Sequence, residues 1–164
     1  MLTLETVRSA LESEGSQYQE LAGHLGIEAI DHLVTLASDG DSLVAAKALY
    51  VASYLGAKIH GDQVTRLLLD AGRSPDSSVR IAAAGACRNL QPASCAEVVL
   101  DLLDDPDRGV LKVALNSVPA VSYPEIRSKV DVLSRDVDPR IRRLASKVLE
   151  KLPRVISAHR AEAC

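Results

Sequence analysis

One pattern recurs four times along the chain and leaves few folds open to it. Asp41-x-x-Val44-Ala45-x-x-Ala48, Asp76-x-x-Val79-Arg80-x-x-Ala83, Asp107-x-x-Val110-Leu111-x-x-Ala114 and Asp138-x-x-Ile141-Arg142-x-x-Ala145 follow one another at 35, 31 and 31 residues. Three positions after each alanine stand Val51, Ala86, Ser117 and Val148, and seven after it Leu55, Leu90, Val121 and Leu152. This spacing traces one stripe of an α-helix. The aspartate predicts where each helix begins. Its side chain accepts a hydrogen bond from a free N–H of the first turn, and its charge suits the positive end of the helix dipole. Pro75, Pro106 and Pro139 stand beside these aspartates and end the preceding segment.

A second apolar stripe lies upstream of each aspartate: Ala29, Leu33 and Leu36; Val64, Leu68 and Ala71; Cys95, Val99 and Leu102; Ile126, Val130 and Leu133. The unit is therefore helix, Pro/Asp turn, helix. Such a unit cannot bury its apolar face alone, so successive units must stack into an α-solenoid. The expected repeats are 28–57, 61–91, 93–121 and 123–153. Aromatic residues make up only 2% of the chain, with four Tyr, no Phe and no Trp. Alanine and aliphatic side chains must then fill the core. Small residues at Ala48, Ala83, Ala114 and Ala145 allow the helices to approach closely. Pro119 should end the second helix of the third repeat near Val118.

Residues 1–27 fall outside the clean repeat. Leu4, Val7 and Leu11 make one stripe, Glu14-Gly15-Ser16 breaks it, and Tyr18, Leu21 and Leu25 make another before Gly26. This segment is expected to be a helical cap or a degenerate half-repeat. Residues 154–164, after Pro153, are expected to form a short helix or a tail.

The four repeats resemble the HEAT-repeat family, particularly the short bacterial-type repeats also found in phycobilin-lyase-like proteins. The resemblance is carried by Pro75-Asp76-Ser77-Ser78-Val79-Arg80-Ile81-Ala82-Ala83-Ala84 and Asp105-Pro106-Asp107-Arg108-Gly109-Val110-Leu111-Lys112-Val113-Ala114. It implies an all-α solenoid. The arginine that the family pattern sets after the valine is present as Arg80 and Arg142 but replaced by Ala45 and Leu111. The same resemblance implies that the second helices line a concave face, and that a lyase- or chaperone-like role toward a chromophore-bearing protein is one of the functions the family covers.

Catalytic signatures are missing. The histidines His24, His32, His60 and His159 are scattered, with no HExxH pair, and GxxxxGK[ST], GxGxxG and GxSxG are all absent. Cys87, Cys95 and Cys164 are odd in number and form no CxxC, which disfavours a disulfide framework or a zinc cluster. Cys87 and Cys95 fall on apolar stripes and read as small core residues. Asp104-Asp105 and Asp136-x-Asp138 read as helix caps at the turns. The chain is expected to have no enzymatic activity, no cofactor and no metal.

What remains is surface chemistry. Positions two, six and nine after each valine or isoleucine fall opposite the stripe and are expected to be exposed: Ala46, Tyr50 and Ser53; Ile81, Gly85 and Arg88; Lys112, Asn116 and Pro119; Arg143, Lys147 and Glu150. Charge is uneven. Residues 1–61 carry three basic and eight acidic groups, 62–105 four and seven, and 106–164 twelve and seven, for a formal net charge of −3. A groove on this face would be apolar at the front and basic at the back. Tyr50, Tyr54, Ile81, Arg88, Lys112, Asn116, Arg143 and Lys147 are the expected partner-binding residues, although Tyr50 and Tyr54 read equally as half-buried beside the cap, and the cations as ordinary solvated charges.

The expected function is a protein- or peptide-binding module: an adaptor, assembly factor or inhibitor whose partner is acidic where it meets the C-terminal repeats. Nucleic-acid binding through the basic half is the alternative, opposed by the negative net charge and the scarcity of aromatic residues for base stacking. No apolar run reaches membrane-spanning length, and a cytoplasmic location is expected. Ala83→Leu and Ala114→Leu are predicted to destabilise the fold by about 1–3 kcal/mol, and Ala46→Leu by much less. Thermal melting of the three variants checks the assigned stripe, and equal midpoints would refute it.

Overall fold

A computed structural model describes residues 2–13, 17–57, 62–121 and 123–153. Among the described residues there are ten α-helices and no strand: α1 (Leu4–Glu12), α2 (Tyr18–Leu25), α3 (Ile30–Ala37), α4 (Ser42–Gly56), α5 (Asp62–Ala71), α6 (Ser77–Ala86), α7 (Pro92–Leu102), α8 (Arg108–Ser117), α9 (Pro124–Leu133) and α10 (Pro139–Lys151). A single 3₁₀ turn, Ile27–Ala29, leads into α3, and another, Cys87–Asn89, follows α6. The expected tail at 154–164, with His159 and Cys164, lies outside the described residues, as do His60 and the break at Glu14-Gly15-Ser16.

The four aspartates start the four second helices. Asp41 accepts from the N–H groups of Leu43 and Val44 at 2.9 and 3.4 Å, Asp76 from Ser78 at 2.7 Å, Asp107 from Gly109 and Val110 at 2.7 and 3.1 Å, and Asp138 from Arg140 at 2.8 Å. Each bond satisfies a donor that the helix itself cannot. All the upstream stripe residues, from Ala29 to Leu133, are buried, and so are Ala48, Ala83, Ala114 and Ala145.

Some expectations need correction. Leu90 and Val121 do not continue their helical stripes. The α6 helix ends at Ala86 and tightens into the 3₁₀ turn, which leaves Leu90 extended ahead of Gln91-Pro92. The α8 helix stops at Ser117, with Val118 extended next to Pro119, as the proline requires. Leu4 is 39% exposed because it lies on the first turn of α1, beyond the reach of the core. Ala46 is half-buried against the core rather than exposed, which narrows its contrast with Ala83 and Ala114.

The helices form two layers. The second helices α4, α6, α8 and α10 pack directly on one another, and α2 joins their row against α4. The first helices α3, α5, α7 and α9 touch each other far less, so their row is the splayed, outer side of the stack and the second-helix row is the inner side. The segment before residue 28 holds two helices, with α1 on α3 and α4 and α2 on α4, and these two pack on each other less than the paired helices of the later repeats do. Its helix start is capped by Thr3, whose hydroxyl accepts from the Thr6 N–H at 3.2 Å.

A second polar residue, two positions before each capping aspartate, organises the turns. Asp39, Ser74, Asp105 and Asp136 accept from the N–H groups of Asp41, Asp76, Asp107 and Asp138 at 2.9, 3.2, 2.8 and 2.7 Å. Three of the four also meet an arginine from the preceding unit. Arg8 pairs with Asp39. Arg80 grips Asp105 through Nε and Nη2 at 2.7 and 3.0 Å, while its Nη1 donates to the carbonyls of Ser74 and Pro75. Arg108 Nη1 donates to both oxygens of Asp136 at 2.9 Å. Between the first two repeats no ion pair is formed among the described residues: Ser74 carries no charge, and Ala45 stands where the second repeat has Arg80.

These bonds set the acid limit of the fold. Asp39 and Asp136 are held below the ordinary carboxylate range, first by the N–H groups of Asp41 and Asp138 and then by their arginines, and Asp76 by the N–H of Ser78. Burial pushes Asp105 upward, but Arg80 and the Asp107 N–H outweigh it and its pKa falls as well. A carboxylate that binds its proton more weakly when folded than when unfolded contributes stability above the unfolded value of about 3.9, and that contribution is lost as pH drops toward the folded values. Urea denaturation midpoints are predicted to be flat from about pH 7 to 5 and to fall steeply below about pH 4. A midpoint that rises on acidification would contradict these turns.

Candidate functional site

The inner face is built by α2, α4, α6, α8 and α10, and the expected binding residues distribute along it in two groups. At the N-terminal end Tyr50, on α4, is half-buried and stacks on Tyr18 of α2, with ring centroids 5.1 Å apart and planes 5° from parallel. This offers contact area beyond simple burial. Burial is the first cause that raises the Tyr50 pKa, so its hydroxyl remains a neutral donor at physiological pH. That hydroxyl lies over Gly85 of α6, where an added Cβ would clash with it. Glycine at this position is what lets the tyrosine lie across the joint between the first two repeats. Tyr54 and Ile81 are half-buried and Arg88 is exposed on the Cys87–Asn89 turn.

Ser53, expected on the exposed face, is fully buried. The 3₁₀ turn folds over it: Asn89 Nδ2 donates to Ser53 Oγ at 2.9 Å, and Ser53 Oγ donates to the Tyr50 carbonyl at 2.7 Å.

At the C-terminal end Lys112 and Asn116 of α8 and Arg143 and Lys147 of α10 line one open depression of about 340 Å³, together with Arg140 and Leu144. The spacing that put the first four at equivalent offsets brings them to one place. Arg140, outside the offsets expected for this face, joins them from the first turn of α10, two residues after its cap. Among the described residues, none of Lys112, Arg140, Arg143 and Lys147 lies within ion-pair distance of a carboxylate, whereas Arg8, Arg73, Arg80, Arg108, Lys129 and Arg135 all do.

A second hollow of about 280 Å³ adjoins this depression and shares Asn116, Leu144 and Lys147 with it; Leu115, Val118 and Val148 supply its apolar wall. It exists because α8 stops at Ser117 while α10 runs on to Lys151, which leaves Leu144 and Val148 uncovered. Pro119 is the sequence signal for it. A larger hollow of about 850 Å³ opens at the turn edge between α3 and α5, lined by Val34, Asp39, Arg66, Leu67 and Asp76 among others, at the junction that lacks an ion pair. Of its three carboxylates, Asp39 and Asp76 are already committed to turn N–H groups, and Asp70 faces Arg73 at 3.9 Å. No group of three or more histidine, cysteine, aspartate or glutamate side chains suited to a metal occurs among the described residues.

The fold is that of the HEAT/armadillo-like helical repeat proteins. The chain is similar to the Escherichia coli protein YibA, with a TM-score of 0.66 at 19% identity over 90% of this chain and 59% of that one. It is similar to a designed armadillo repeat protein solved in complex with the peptide (KR)4, with a TM-score of 0.63 at 18% identity over 92% and 82%. It is also similar to the CpcE–CpcF complex of phycocyanin lyase from Nostoc sp., with a TM-score of 0.58 at 20% identity over 93% and 65%. The chain thus spans less than two thirds of the length of YibA and of the lyase chain. No protein-family model and no curated protein matches the sequence. Among the described residues no helix is long and apolar enough to cross a membrane.

Gly85→Ala tests the tyrosine end of the face. Helix propensity alone would make this change stabilising by about 1 kcal/mol, but the clash with the Tyr50 hydroxyl is predicted to make it destabilising by about 1–2 kcal/mol. Adding Tyr50→Phe removes the clashing oxygen and leaves Cζ 3.1 Å from the new methyl, so the double variant should recover most of the loss. Denaturation of the two single variants and the pair checks this, and additive losses would refute the contact.

Proposed function

We propose that the chain is a non-enzymatic protein-binding module, an adaptor, assembly factor or inhibitor, that holds an acidic segment of its partner on the inner face of α8 and α10. The carrying observation is the convergence of Lys112, Arg140, Arg143 and Lys147, none of them neutralised by a carboxylate among the described residues, around one depression beside an apolar hollow. Four cations held together repel one another, and an acidic group seated among them relieves that repulsion. The apolar hollow adds a preference that charge alone cannot supply. The fitting ligand is a peptide with carboxylates next to an aliphatic side chain, and Asn116, at the border of the two hollows, is available to bond its backbone.

The designed armadillo protein with its bound (KR)4 peptide supports peptide capture as a use of this kind of helical stack. By charge complementarity the sign of the peptide is reversed here. Tyr50, Tyr54 and Arg88 at the other end of the face would extend the contact, with Tyr50 and Tyr18 already stacked as a rigid anchor. A cytoplasmic, reducing setting suits the free thiols of Cys87 and Cys95.

The test uses a fluorescent peptide of alternating glutamate and leucine, a polyglutamate of equal length and a single-stranded oligonucleotide. The glutamate-leucine peptide is predicted to bind most tightly. Arg143→Glu with Lys147→Glu should weaken it at least tenfold at low salt without changing the melting curve, and raising the salt should shrink the difference. Unchanged binding by the double variant would remove the depression from the site, and tighter binding of the oligonucleotide would favour a nucleic-acid partner.

A further inference from the structure

We propose that Cys87 and Cys95 form a site of oxidative modification, at which a hydroperoxide such as hydrogen peroxide converts the two thiols into an intrachain disulfide. The two residues come from different elements, the 3₁₀ turn after α6 and the first turn of α7, yet their sulfur atoms lie 3.0 Å apart. Both side chains are buried, at 0% and 3% exposure. Their hydrogen bonds hold them in one arrangement: Cys87 Sγ donates to the Ala84 carbonyl at 3.2 Å, and Cys95 Sγ to the Ser117 carbonyl at 3.3 Å.

The pair is chemically unequal. The contact between the two sulfurs lowers the pKa of Cys95, while that contact and burial raise the pKa of Cys87. Cys95, the less enclosed of the two, is the attacking sulfur and Cys87 the resolving one. Cys95 sulfur attacks one peroxide oxygen, the O–O bond breaks, and the leaving hydroxide takes up the Cys95 proton as water, which leaves a sulfenic acid on Cys95. Cys87 sulfur then attacks Cys95 sulfur, the S–O bond breaks, and the second hydroxide leaves with the Cys87 proton as water. Two thiols have lost two electrons and two protons, and one peroxide has become two waters.

Burial selects the oxidant. A peroxide is close to water in size, whereas a peptide disulfide cannot approach sulfurs so enclosed. Ser117, whose carbonyl takes the Cys95 thiol, also carries a buried hydroxyl that has no partner among the described residues. The cross-link would tie the turn that carries Arg88 and Asn89 to the start of α7, and so fasten the inner face of the second repeat to the third. The proposal does not depend on the binding reading above.

The experiment treats the full chain, carrying Cys164→Ser, with hydrogen peroxide, unfolds it in guanidinium chloride, blocks remaining thiols with N-ethylmaleimide and digests with trypsin. Cleavage after Arg88 separates the two cysteines, so the disulfide is read as two tryptic peptides held together and released by dithiothreitol. That product is expected, without sulfinic or sulfonic acid, along with a melting temperature raised by several degrees and restored by the reductant. In Cys87→Ala, where no resolving thiol remains, dimedone added with the denaturant after peroxide treatment is expected to label Cys95. The proposal is overturned if both cysteines still take the maleimide after glutathione in the same tube has been oxidised, or if they over-oxidise without cross-linking.

Discussion

The structure depends on two polar side chains packed into each inter-helix turn. One aspartate caps the helix that follows, and two residues earlier a second acceptor takes the N–H of that same aspartate. In three turns the second acceptor is a carboxylate that also receives an arginine from the preceding unit. A chain with so little aromatic surface packs its units through alanine and aliphatic contacts, and at three of the four turns the arginine–carboxylate bonds add direction to that packing. The direction is strictest at Arg80, whose guanidinium meets Asp105 through two nitrogens and so fixes both distance and angle. The Arg80–Asp105 pair is the most enclosed, with side chains 14% and 6% exposed.

The same arrangement distributes charge over the molecule. Acidic groups are drawn to the turn edge and spent there on backbone donors and arginines. Lys112, Arg140, Arg143 and Lys147, on the inner face of α8 and α10, are left without such partners among the described residues. The negative net charge and the basic depression are therefore compatible. At the opposite end the Tyr18–Tyr50 stack closes over Gly85, so the inner face passes from an aromatic anchor to a cationic seat.

Much of this was legible in the sequence, for identifiable reasons. The helix-period stripes and the capping aspartates are local signals, readable within four residues, and they place the second helices and the buried alanines. Lys112, Asn116, Arg143 and Lys147 could be grouped because stacked repeats carry equal offsets to equal places. The arginine rungs could not be read, because Arg80 and Asp105, or Arg108 and Asp136, lie more than twenty residues apart and Asp105 and Asp136 look like any turn carboxylates. Ser53 was misplaced because the tightening of α6 into a 3₁₀ turn is set by tertiary contact with Asn89 and by the proline at 92, and neither shows as a break in the apolar period.

A double-mutant cycle on Arg80→Met and Asp105→Leu measures the rung directly. Either single change leaves a half-buried polar group without its partner, while the double change removes both, so the coupling separates the pair from the other bonds that each residue makes. If the rung holds successive repeats in register, the double variant is more stable than the sum of the single losses allows, by about 1–3 kcal/mol. Losses that add to within about 0.3 kcal/mol would show that the repeats stack without it.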